Sequence, residues 1–70
     1  MTWDQIQRNW NEYRGKVRER WGRLTDDEID FMKGRRDRLE GKIRQAYGKS
    51  VQAARRDVDQ FVSMCDRRDQ

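Results

Sequence analysis

The chain predicts an all-α fold, a small bundle of about four helices built from a duplicated helix-turn-helix unit. Three observations predict it. Apolar residues recur at steps of three or four through most of the 70 residues, the period of one helix face. Proline is absent, so only five glycines interrupt a composition rich in helix formers. Two eight-residue phrases, GKVRERWG from Gly15 to Gly22 and GKIRQAYG from Gly41 to Gly48, repeat one pattern.

The first helix is expected from Trp3 to about Trp21, because Trp3, Ile6, Trp10, Tyr13, Val17 and Trp21 share a stripe and Thr2 with Gln5 fits a capping box. The stripe keeps its phase past Gly15, which argues against a break there. Gly22 is expected to stop this helix as a left-handed C-cap. In LTDDEI, Thr25 and Glu28 form a second capping box, and Leu24 and Ile29 occupy the positions of a hydrophobic staple. A short second helix therefore starts at Asp26, with Ile29, Met32 and the adjacent Phe31 on its buried side, and ends or bends at Gly34. A third runs from Arg35 through Leu39, Ile43, Ala46 and Tyr47 to Gly48. Ser50 caps a fourth, marked by Val51, Ala54, Val58, Phe61, Val62 and Cys65. The tail 66–70 is expected to fray.

The repeat extends beyond the two phrases. Tyr13 corresponds to Leu39, Val17 to Ile43 and Trp21 to Tyr47, which gives units of about 3–33 and 35–65 in one domain spanning 1–70. The expected core is Trp10, Tyr13, Val17, Trp21, Ile29, Leu39, Ile43, Tyr47, Val58 and Phe61. Gly15 and Gly41 lie opposite the apolar stripe of their helices, where a glycine costs about 1 kcal/mol relative to alanine. A close helix approach and a tolerated exposed position both explain them.

Composition bounds function. Charged residues make up 43% and hydrophobic residues 33% of the chain, yet the net charge is only +4, so charges can pair across helix faces and a thin core can form. A core this thin leaves little room for a pocket. With no histidine, His-dependent acid–base catalysis, the Ser-His triad and His-containing metal sites are excluded. Cys65 is the single cysteine and is assigned no role. Asp26, Asp27, Glu28 and Asp30 lack EF-hand spacing and match the positive potential of a helix start. YGKS at residues 47–50 lacks the strand and first glycine of a P-loop, so Lys49 and Ser50 read as loop and cap. No run is apolar enough for a membrane span, and the first ten residues do not read as a signal peptide. These features predict a cytoplasmic chain without cofactor, metal site or stable membrane insertion.

The order Trp10, GKVRERWGRLTDD from Gly15, GRRDRLEGKIRQAYG from Gly34, then Ala54 and Val58 resembles the CsbD-like family, of the YjbJ type, of small bacterial general stress response proteins. The likeness spans roughly Trp3 to Phe61, and WGRLTDDE and LEGKIRQAYG are its most specific parts. It implies a compact all-α stress protein and supplies no catalytic residues. The richness in arginine and the Met64-Cys65 stretch depart from the familiar pattern.

The leading expectation is a non-enzymatic stress protein acting through its surface, with a protein partner or self-association. Residues 1–24 and 33–49 are net basic, so a second reading is a nonspecific nucleic-acid accessory whose phosphate contacts would be Arg35, Arg36, Arg38, Lys42 and Arg44. A third is a reversible membrane-surface or protectant helix, since the first helix carries aromatics on one side and cations on the other. Gly15, Gly22, Thr25, Glu28, Gly41, Gly48 and Ser50 are expected to be structural.

Overall fold

The computed structural model describes the backbone of residues 2–68 and side chains through Cys65. Five helices follow one another, α1 (Trp3–Arg8), α2 (Trp10–Arg20), α3 (Asp26–Met32), α4 (Arg36–Tyr47) and α5 (Val51–Arg68), with no strand among the described residues. The expected first helix is thus two. The chain turns at Asn9, with φ −109° and ψ 36°, where the side-chain Nδ2 donates to the Gln5 carbonyl at 3.0 Å. An asparagine amide that bonds a nearby carbonyl offers the backbone an alternative to continued helix. Gly15 lies inside a continuous α2.

The turn at Asn9 lets α1 cross to the α3–α4 corner. Trp3 Nε1 donates to the Gly34 carbonyl at 2.7 Å and Trp10 Nε1 to the Ile29 carbonyl at 3.2 Å, with the two indole rings 6.2 Å apart. Gly34 has φ +77°, and a Cβ built on it would lie 2.8 Å from Gln7 Cγ and 3.1 Å from Gln7 Cα. Lys33 before it is also left-handed, at φ 50°. Glycine suits this corner twice, through its backbone conformation and through the backbone-to-backbone approach.

Gly22 is not a left-handed cap, because the positive-φ glycines are Gly34 and Gly48. The chain leaves α2 at Trp21, with φ −123° and ψ 76°. This conformation buries the indole against Phe61, with ring centroids 5.2 Å apart, and so closes α5 against the end of α2. The α3 start carries reciprocal caps: Thr25 Oγ1 accepts from the Glu28 N–H at 3.2 Å, and Glu28 Oε1 accepts from the Thr25 N–H at 3.1 Å. Gly48, at φ 62°, terminates α4, and Ser50 Oγ accepts from the Ala53 N–H at 3.2 Å to start α5.

Ile6, Val17, Met32, Leu39, Ile43, Ala54 and Val58 are fully buried, with Tyr13, Trp21, Leu24, Ile29, Phe61 and Cys65 nearly so. Trp10 and Tyr47 are half-buried rather than buried. Each uses its polar end at the core edge, Trp10 on the Ile29 carbonyl and Tyr47 Oη accepting from the Arg23 N–H at 3.3 Å. Phe31 lies outside the core altogether, 65% exposed, because neighbouring Ile29 and Met32 take the inward face. The expected fraying of 66–70 falls mostly outside the description: the backbone is helical to Arg68, and Asp69, Gln70 and the side chains from Asp66 onward lie outside the described residues.

A Cβ at Gly15 or Gly41 meets nothing within 4 Å, so no close helix approach explains either glycine. Replacing Gly34 with alanine is therefore expected to cost about 2 kcal/mol or more in urea unfolding. Gly15→Ala and Gly41→Ala are expected to stabilise by about 0.5–1 kcal/mol in the same measurement. Equal effects at the three positions would contradict the geometry.

Candidate interaction surface

The five cations grouped by sequence near the start of α4 point to different places. Arg36 Nε bonds Glu40 Oε2 at 2.7 Å, and its Nη2 bonds Asp59 Oδ1 at 2.7 Å and the Arg55 carbonyl at 3.3 Å, so this one guanidinium bridges α4 and α5. Burial lowers its affinity for the proton, but the bonds to Glu40 and Asp59 more than reverse that, and the pKa is raised. Lys42 turns to α3, with Nζ 3.2 Å from Glu28 Oε2. Arg38 also turns to α3, donating to the Phe31 carbonyl at 3.0 Å with its guanidinium 5.0 Å from the Phe31 ring. Arg35 pairs with Asp37 at 3.4 Å. Arg44 is exposed and has no ion pair among the described residues.

Asp26, Glu28 and Asp30 of α3 have partners on both sides. Asp30 pairs with Arg14, and Asp26 with Arg18 at 2.5 Å, both across to α2, while Glu28 takes Lys42 of α4. Hydrogen bonding from the Thr25 backbone, followed by the Lys42 ammonium, holds the Glu28 carboxyl below the ordinary carboxylate value. Among the described residues no three His, Cys, Asp or Glu side chains are grouped to hold a metal ion. The geometry gives these acids a lateral role beside their match to the helix start. They neutralise the cations of α2 and α4 that face them.

Gly15 lines a shallow cleft between α2 and α3 with Asn11, Ile29 and the Arg14–Asp30 and Arg18–Asp26 pairs. Sequence reasoning missed Asn9 as a turn and Gly34 as a close-approach glycine. The signal for Gly34 was its place between a helix end and an arginine run, which resembles any ordinary helix stop. No helix is long and apolar enough to cross a membrane among the described residues.

Fold and surface together define a small, highly charged helical bundle whose ion pairs run between neighbouring helices. The family model described as CsbD-like matches residues 4–56, and the chain belongs to the CsbD-like family. UPF0337 protein NE2439 of Nitrosomonas europaea is 44% identical over 66 residues, covering 94% of this chain and 70% of the relative. UPF0337 protein YjbJ of Escherichia coli O6:H1 is 41% identical over 68 residues, covering 97% and 99%. UPF0337 protein RPA4217 of Rhodopseudomonas palustris is 46% identical over 63 residues, covering 90% and 96%. No solved structure matches the chain.

Arg36→Gln is expected to cost about 1 kcal/mol or more of unfolding free energy, against less than about 0.5 kcal/mol for Arg44→Gln. A second expectation follows from Glu28. Its folded carboxyl ionises below the unfolded value of 4.5, so its contribution is fully present above that pH and is lost as pH falls through the folded pKa. Glu28→Gln keeps an oxygen for the Thr25 N–H but removes the charge. Its urea midpoint should lie below that of the unmodified chain near pH 7, and the gap should narrow as pH falls below 4.5. A gap independent of pH would show that the charge contributes nothing.

Proposed function

We propose that this protein is a non-enzymatic general stress response protein that acts through its folded surface, by association with other macromolecules in the cytoplasm. Membership of the CsbD-like family carries the stress-response role without a defined molecular activity. The observation that supports a surface role is the use of the charged side chains. Arg36, Lys42, Arg14 and Arg18 are ion-paired between neighbouring helices, including the two pairs that line the α2–α3 cleft. In this reading the single domain 1–70 comprises two related helix-turn-helix units, 3–33 and 35–65.

The dispersal of Arg35, Arg36, Arg38 and Lys42 counts against the nucleic-acid reading, because phosphate binding draws on cations that are free and converge on one groove. Fluorescence anisotropy of a short labelled DNA duplex and an RNA strand tests this. Weak binding unaffected by Arg35→Gln/Arg38→Gln/Arg44→Gln is expected. Tight binding that falls steeply with salt and is lost in that variant would replace the present reading with a nucleic-acid accessory. Crosslinking in intact cells before and after stress tests association directly. Stress-dependent protein adducts are expected, and an uncrosslinked monomer under both conditions would overturn the proposal.

A further inference from the structure

Between α2 and the last turns of α5 the surface is concave. Lys16, Glu19 and Arg20 of α2 face Phe61, Met64 and Cys65 of α5 around a cavity of about 310 Å³. Its floor is apolar. Phe61 and Cys65 continue the core at 3% and 2% exposure, while Met64 stands 49% exposed at the edge. A methionine thioether is flexible and polarisable, and adapts to apolar partners of different shape.

The rim has a different chemistry. Lys16 and Arg20 are four residues apart, hence neighbours on one helix face. Among the described residues neither has a carboxylate partner: Lys16 Nζ lies 4.8 Å from the centre of the Tyr13 ring, and Arg20 lies 5.9 Å from the Trp21 ring and donates to Gln60 Oε1 at 3.2 Å. Arg14 and Arg18, on the side of the same helix that faces α3, are both ion-paired. On the far side of Met64, Arg56 joins Arg20, Gln60 and Ser63 around an adjoining groove. Among the described residues Glu19 and Asp59 are the acids of the two grooves, and Asp59 is already bound to Arg36.

We propose that this groove binds a medium-chain anionic amphiphile, a free fatty carboxylate whose head lies between Lys16 and Arg20 and whose alkyl chain runs over Met64 onto Phe61 and Cys65. Three features select this occupant. The volume stands at the small end of ligand sites, roughly 300–1,000 Å³, and suits one alkyl chain better than a folded segment. Lys16 and Arg20, which have no carboxylate partner among the described residues, complement a single negative head. The net charge of +4 attracts an anion and disfavours a second copy of the same chain.

Dodecanoate, titrated below its micelle concentration into the ¹⁵N-labelled full chain, is the probe. Saturable amide shifts at Lys16, Arg20, Phe61, Met64 and Cys65 are expected, with an affinity that falls as salt rises. Lys16→Gln/Arg20→Gln should weaken binding by about tenfold. Dodecyltrimethylammonium, with the same chain and the opposite head, should leave these amides unshifted in the unmodified protein, a comparison that needs no variant. Equal shifts with the two heads, shifts spread evenly over the bundle, or no saturation would overturn the proposal. Binding to anionic phospholipid vesicles without binding to monomeric dodecanoate would overturn it as well.

Discussion

The corner at Gly34 is the constraint on which the rest of the bundle depends. α1 contributes one fully buried residue, Ile6, and reaches the core only because Asn9 turns the chain and Gly34 admits Gln7 against its α-carbon. Burying an isoleucine is worth about 1.5–3 kcal/mol, and the Trp3 indole bond to the Gly34 carbonyl adds about 1 kcal/mol. In a chain of 70 residues these are large fractions of the total stability. A side chain at residue 34 would push α1 away, uncovering Ile6 and the apolar groups beneath it. One position thus controls whether the N-terminal helix belongs to the bundle.

Charge has a different part. An acidic α3 lies between a basic α2 and a basic α4, and its carboxylates reach out to both. Each exposed pair contributes only about 0–1 kcal/mol, so the pattern aligns neighbours more than it stabilises them. Arg36 differs because it is partly buried and shared between Glu40, Asp59 and the Arg55 carbonyl, which makes its loss harder to compensate. The composition that looked favourable for anion binding is largely an internal fastening. What remains outward is a smaller set of cations, and Lys16 and Arg20 stand out because they border an apolar groove.

Much of this architecture was legible in the sequence, and the failures share a physical cause. Capping signals are local, so Thr25 with Glu28, Ser50 and Gly48 mark real helix ends at the expected places. Periodicity reports the phase of a stripe but not the direction of the axis beneath it. The Trp3, Ile6, Trp10 and Tyr13 spacing therefore reads through the turn at Asn9. Gly22 misled because the adjoining Trp21 could end the helix itself by burying its ring. Phe31 misled because a seven-residue helix has room on its inner face for Ile29 and Met32 but not for the aromatic between them. The Arg35 to Arg44 cluster illustrates the same limit: closeness along a helix does not make a patch when successive side chains point to α5, α3 and solvent.

The outward glycines show where the helices draw their stability. Gly15 and Gly41 each lower the intrinsic stability of a helix of 11 or 12 residues by about 1 kcal/mol, and no packing contact returns it. Helices of that length are marginal alone even with favourable composition. α2 and α4 therefore persist because Tyr13 and Val17, and Leu39 and Ile43, are buried against neighbours. Their order is borrowed from the core, and the core is shared by all five helices. Weak helices joined through one thin core fold and unfold together, so a disturbance at the Gly34 corner reaches the Trp21–Phe61 closure at the other end of the chain's path without needing a contact of its own there.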